Sequence, residues 1–129
     1  MLNDPLANAL SKILNNERIG RGNCLISPSS VMIRKVLDLL NAEGYIGKYE
    51  EVTKARGGVL NLNLLGRINN CGVIKPRFTV KKDGFRKFEK RFLLADGFGI
   101  IIISTNQGIF THQEAKKKGI GGKLMAFCY

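Results

Sequence analysis

Residues 100–129 read IIIISTNQGIFTHQEAKKKGIGGKLMAFCY. Ile100 to Ile103 is the longest run of large apolar side chains in the chain. A strand over 99–104 that is apolar on both faces belongs in the middle of a sheet. Its polar end, Ser104-Thr105-Asn106-Gln107, runs into Gly108, which turns the chain back. Thr111-His112-Gln113-Glu114 has the spacing of a capping box, so a helix starts there. Gly119 stops that helix, and Lys123 to Tyr129 supplies a closing strand.

Working back, the preceding residues are basic and aromatic. Phe78-Thr79-Val80 reads as a strand. Phe85, Phe88 and Phe92 stand at i, i+3 and i+7, with Arg86, Lys87, Lys90 and Arg91 between them. That spacing predicts a short amphipathic helix with a basic outer face. Further back the pattern changes. Asp4-Pro5 opens a helix that carries Leu6, Leu10 and Ile13 on one face and ends near Asn15-Asn16. Cys24-Leu25-Ile26 is a short strand. Ser27-Pro28-Ser29-Ser30 caps a second helix with a stripe of Met32, Val36, Leu39 and Leu40, closed by Gly44. Tyr45 to Val52 is a strand and Arg56-Gly57-Gly58 a turn. Val59 to Leu65 alternates, with Leu60, Leu62 and Leu64 on one side and Asn61 and Asn63 on the other. The expected fold class is α+β, as two small packed domains. Residues 1–66 form an N-terminal α-β-α-β-β domain, and residues 67–129 a C-terminal β-rich domain with short helices.

Charge divides the chain in the same place. The net charge of the 129 residues is +11. Residues 1–66 hold eight Lys/Arg against six Asp/Glu, and residues 67–129 hold thirteen against four. A basic half on a balanced chain points to a polyanion, nucleic acid before a membrane surface. The hydrophobic fraction, 44%, is that of a folded protein. No apolar run is long enough to span a bilayer. Met1-Leu2-Asn3-Asp4-Pro5 lacks the basic region and apolar stretch of a secretory signal, so a cytosolic setting is expected.

Catalysis finds little to use. His112 is the single histidine, with no evident group to orient it as a base, and an exposed or cap-adjacent place is expected for it. Cys24, Cys71 and Cys128 are widely spaced, without the pairing of a zinc site, and read as buried reduced thiols. Gly119-Ile120-Gly121-Gly122-Lys123 misses the spacing of a phosphate loop and has Leu124 where a hydroxyl belongs. It reads as a helix stop and a place of close backbone approach. No metal, cofactor or small-molecule substrate is expected. Two readings of Ser104, Thr105 and Asn106 stand side by side. They are contacts for RNA sugars, phosphates and base edges, or a turn whose hydroxyls serve their own backbone. Ser29, Ser30 and Asp4 read first as helix caps, although a helix N-terminus also suits a phosphate.

In order along the chain stand Asp4-Pro5-Leu6-Ala7-Asn8-Ala9-Leu10, Ser27-Pro28-Ser29-Ser30, Gly44-Tyr45-Ile46-Gly47, Leu65-Gly66-Arg67-Ile68-Asn69, Ile74-Lys75-Pro76-Arg77-Phe78, Ser104-Thr105-Asn106-Gln107-Gly108, and Glu114-Ala115 followed by Gly121-Gly122. Together they resemble the universal ribosomal protein of the small subunit numbered eight, in its archaeal and eukaryotic form, nearly end to end. The resemblance implies two αβ domains and no enzymatic activity. It implies a primary binder of the central domain of small-subunit rRNA, with neighbouring ribosomal proteins as further partners. Ser104 and Thr105 match the family's RNA-contact loop, with Asn106 where Ser is common. Gly121 and Gly122 match the Gly-Gly beside the site, and Lys123 stands where bacterial members carry Glu. Ser29 and Ser30 match the contact segment of the first domain, followed by Val31 where Lys is frequent. The RNA-contacting set expected on these grounds is Ser104, Thr105, Asn106, Gly121, Gly122, Lys123, Ser29 and Ser30; Asp4, at a helix N-terminus, and Arg77, a cation of the basic half, are added to it. Lys116, Lys117 and Lys118 join it as phosphate contacts. Lys75, Lys81, Lys82, Arg86 and Lys87 add long-range attraction. The rival classes are a nucleic-acid binder without sequence preference and a small hydrolase built on His112.

Overall fold

The computed structural model describes residues 5–26, 31–53, 59–74, 78–81, 84–93 and 99–129. It forms two compact units, 1–69 and 70–129. The first contains α1 (Pro5–Arg18), β1 (Asn23–Ile26), α2 (Val31–Ala42), β2 (Ile46–Thr53) and β3 (Val59–Leu64). The second contains β4 (Cys71–Val73), β5 (Thr79–Val80), α3 (Phe85–Phe92), β6 (Ile100–Thr105), β7 (Gly108–Thr111), α4 (His112–Lys118) and β8 (Gly122–Cys128). The α+β class expected from the sequence is the class observed.

In the first unit β3 lies between β1 and β2, antiparallel to both. Its alternation does what period two requires. Leu60, Leu62 and Leu64 are buried, while Asn63 is exposed. The register sets Cys24 opposite Leu62 and Ile26 opposite Leu60, so β1 adds its apolar residues to the same face. α1 buries Leu6, Ala9, Leu10 and Ile13, one stripe of a 3.6-residue helix. It runs to Arg18, beyond the expected stop at Asn15-Asn16, because neither Asn is followed by a residue that ends a helix. Glu17 then works at its end: its carboxylate accepts from the backbone N–H groups of Gly66 and Ile68, each at 3.2 Å.

The stripe on α2 differs from expectation. Ile33, Val36, Leu37 and Leu40 are buried, whereas Met32 and Leu39 are only partly covered. Apolar residues surround much of this helix, so spacing alone leaves its rotation open. Contacts to β2 and α1 choose it. Tyr49 donates its hydroxyl to the Asp38 carboxylate at 2.8 Å, and Arg34 pairs with Glu51 at 3.3 Å. Gly44 closes the helix at φ 82°, with the N–H of Tyr45 on the Leu40 carbonyl.

The second unit has strand order β4-β8-β6-β7, with β5 also on β8. Ile100, Ile101, Ile102 and Ile103 are all buried, and β6 is central as expected. β4 and β7 were not foreseen. β4 is Cys-Gly-Val, too short to show a period, and β7 acquires its partners only through the turn at residues 106–107. β8 holds the sheet together. One edge pairs with β6, and the other takes β4 along 126–128 and β5 along 122–123. The β6–β8 register slips by one residue between Ile102–Ala126 and Ile103–Leu124, leaving Met125 as a bulge. The Met125 carbonyl accepts from the N–H of Ile74 instead. α3 and α4 cover one sheet face, where Ile101, Ile103 and Leu124 pack with Phe85, Leu93 and Ala115.

Leu62 is fully buried and Leu25 on the neighbouring strand is half exposed. Leu62→Ala is expected to cost about 2–5 kcal/mol of unfolding free energy in urea titration. Leu25→Ala is expected to change it by roughly 0.5 kcal/mol or less.

Candidate nucleic-acid interface

The glycines of residues 119–122 let three chain segments converge. Gly119 ends α4 in the left-handed region, at φ 67°. A Cβ on Gly121 would stand 2.2 Å from the Val80 carbonyl oxygen, and one on Gly122 would stand 2.3 Å from the Ser104 carbonyl oxygen. Neither space admits a carbon atom. The Gly-Gly backbone therefore lies flush between the end of β5 and the end of β6, which is the close approach that the glycines suggested.

This closeness aligns polar side chains. Lys123 is registered with Thr79 on one side and with Ser104 on the other. All three are exposed. Register partners project from the same face, with strands spaced about 4.8 Å apart. A hydroxyl, an ammonium and a second hydroxyl thus form a row across three strands. They lie opposite the face that α3 and α4 cover, since Val80, Leu124 and Ile103 point the other way. Thr79 was missed from sequence. It carries no motif, and only the register with Lys123 reveals it.

At the end of the row, Thr105 serves the turn. Its hydroxyl donates to the Gly108 carbonyl at 2.8 Å and accepts from the Gln107 N–H at 3.1 Å. The backbone-serving reading holds for this side chain. A hydroxyl oxygen has two lone pairs, so one acceptor site is left. Ser104 and Asn106 are exposed beside it. A stiff polar hairpin tip next to a lysine suits an irregular polyanion surface.

A sequence model described as Ribosomal protein S8 matches residues 4–129. The chain belongs to the ribosomal protein S8 family. Membership makes it a non-enzymatic structural protein of the small ribosomal subunit that binds rRNA. The polar row and the Gly-Gly contact are the features of this S8 chain to weigh against that role.

The structure brings Ser104, Thr105, Asn106, Gly121, Gly122 and Lys123 together. The lysines of α4 belong to the helix-covered side. Lys118 lies over the Phe110 ring at 4.9 Å. Lys116 donates to the Glu89 carboxylate on α3. Lys117 is exposed. Asp4, Ser29, Ser30 and Arg77 lie outside the described residues, as does the turn at Arg56-Gly57-Gly58. Among the described residues no cluster of His, Cys, Asp and Glu could hold a metal ion. All three cysteines are buried and unlinked, and burial pushes the Cys24 thiol up.

His112 takes the second of its two expected places: it directly follows the capping residue Thr111, and it is only 1% exposed. Thr111 caps α4, its hydroxyl accepting from the Glu114 N–H at 3.3 Å, and the turn into the helix carries the next residue inward. β7 pairs with β6 as far as Thr111 opposite Ile102. One residue on, the imidazole takes over: Nδ1 accepts from the Ile101 N–H at 3.0 Å. Nε2 therefore carries the ring proton and faces Glu89 Oε1 at 3.4 Å. The basic nitrogen, Nδ1, is taken up by the Ile101 N–H and the ring is buried, so the imidazole serves the sheet and offers no free base.

Burial holds His112 below its ordinary 6.5, against an opposing pull from Glu89. Between that lowered value and 6.5 the unfolded chain binds the proton and the folded chain does not. Stability from this group is therefore complete above 6.5 and declines as pH falls from there. Urea titrations from about pH 5 to pH 8 are expected to show this slope. His112→Asn, which keeps an acceptor toward Ile101, is expected to flatten it. His112→Ala is expected to flatten it and lose a further 1–3 kcal/mol, roughly, by leaving that N–H unpaired.

Proposed function

We propose that this S8-family chain binds the central domain of small-subunit rRNA and organises it during assembly of the subunit. The reading extends to a cytoplasmic ribosome of the archaeal or eukaryotic type, beside neighbouring small-subunit proteins. The basic C-terminal part, residues 67–129, carries the main RNA contact. The observation that carries this reading is the exposed row Thr79–Lys123–Ser104 against the side-chain-free Gly121-Gly122 backbone. It offers two hydroxyls and a cation at fixed spacing, and the glycines keep the neighbouring backbone low enough for a nucleic acid to approach.

Recognition divides into two parts. Hydroxyls and amides at Thr79, Ser104 and Asn106 meet 2′-hydroxyls, phosphates and base edges, the groups that irregular RNA displays. Lysines neutralise phosphate, giving a salt-dependent contribution without sequence information. Thr105 keeps the hairpin tip in shape and has one lone pair left for a donor such as a 2′-hydroxyl. Asp4, Ser29, Ser30 and Arg77 extend the proposed footprint, and Lys117 is the α4 lysine assigned to phosphate.

A titration of the protein against a central-domain rRNA helix fragment and against a generic RNA duplex, over a range of salt, tests the reading. The helix fragment is expected to bind orders of magnitude more tightly, with the preference kept at high salt. Equal affinities that fade together would leave only a nucleic-acid binder without sequence preference. Ser104→Ala is expected to weaken specific binding by about 1–3 kcal/mol with the salt slope unchanged. Thr105→Ala is expected to lose at least as much, because the turn loosens too. Lys117→Ala is expected to lower the salt slope by roughly one unit.

A further inference from the structure

α3 is an eight-residue helix with a single acid, Glu89. That acid is turned inward and buried, where Lys116 donates to it and His112 Nε2 faces it. Arg86, Lys87, Lys90 and Arg91 are all exposed. At about 100° per residue these four span an arc of about 140°. Within α3, nothing negative interrupts that arc.

Along its margin lies a ledge of partly covered rings: Phe78, Phe88, Phe92, Phe127 and Tyr129. Phe78 and Phe88 approach to 5.4 Å between centroids, Phe92 and Phe127 to 5.8 Å, and Phe127 and Tyr129 to 6.1 Å. The Arg91 guanidinium sits over two of them, 5.2 Å from Phe78 and 5.4 Å from Phe92. Lys87 lies 5.8 Å from the Phe88 ring. The rings place Arg91 before any ligand arrives, and its planar fork of donors is open to solvent.

We propose that this α3 face is a second RNA contact, which takes an unpaired stretch of RNA by stacking a base on the Arg91–aromatic ledge. Arg86, Lys87 and Lys90 hold the flanking phosphates. The charge selects a polyanion. The rings select unpaired nucleotides, because a duplex presents no base faces to a ledge of this kind. The surface lies on the helix-covered side of the sheet, away from the Thr79–Lys123–Ser104 row, so the two can engage different parts of one rRNA. The inference rests on the reading of the chain as an rRNA binder.

Fluorescence anisotropy on the full chain tests it with three probes: a labelled twelve-nucleotide oligouridine, the central-domain helix fragment and a labelled polyglutamate peptide. Arg91→Lys keeps the charge and loses the planar stack. It is expected to weaken oligouridine binding about tenfold, the scale of one stacked base, with affinity for the helix fragment unchanged. The triple variant Arg86→Ala, Lys87→Ala, Lys90→Ala is expected to lower the oligouridine salt slope by about two units. Circular dichroism melting is expected to match the parent for both. Oligouridine binding at parental strength in both variants would overturn the α3 contact while leaving the helix-fragment reading in place. Tighter binding of polyglutamate than of oligouridine would overturn it in favour of an acidic protein partner. Failure of the parent chain to bind either RNA would overturn both readings.

Discussion

The second unit depends on how closely β8 can approach its neighbours. Gly121 and Gly122 let backbone meet backbone where even a methyl group would collide with the carbonyls of Val80 and Ser104. From that contact β8 carries β5 and β6 on opposite edges, and farther along it takes β4 beside β5. The Met125 bulge resets the register in between. The polar row is a consequence, because Lys123 immediately follows the glycine pair and inherits Thr79 and Ser104 as neighbours.

Among the described residues of this unit no buried side-chain nitrogen or oxygen is left without a partner. β7 ends where α4 begins, and the His112 ring supplies the acceptor that the next strand residue would have supplied to Ile101. Glu89 lies beneath, facing the ring N–H and accepting from Lys116. A buried carboxylate without such partners would be costly. With them, it joins α3 to α4 and leaves the exterior of α3 to cations. One inward-facing acid thus shapes the core and the electrostatics of the surface together.

Much of this was legible in the residues. The Leu60-Asn61-Leu62-Asn63-Leu64 alternation, the Phe85/Phe88/Phe92 spacing, the cap at Thr111 and the stop at Gly119 are local signals, and each produced the element it announced. The misses share a cause. Met32 and Leu39 were expected inside in place of Ile33 and Leu37, because an apolar helix has more than one face that could be buried and its tertiary contacts, with β2 and α1, select one. β4 and β7 are strands by virtue of their partners. For His112 an exposed or cap-adjacent place was expected; it is cap-adjacent, but its burial was not legible. The gap at Ile101 that draws it inward exists only in the assembled sheet.

By itself, the sequence determined the fold class, the basic second half, the family and the glycines at the candidate site. These depend on composition, short-range periodicity and the spacing of motifs along one chain, all of which are local. Tertiary structure decided which face of α2 is buried and which way Glu89 turns. It decided that Thr105 locks a turn while Ser104 remains exposed, and that Thr79 stands beside Lys123 forty-four positions away in the chain. Those outcomes are set by strand register and by the pairing of buried polar groups. Both arise between segments distant in sequence, so no local pattern encodes them.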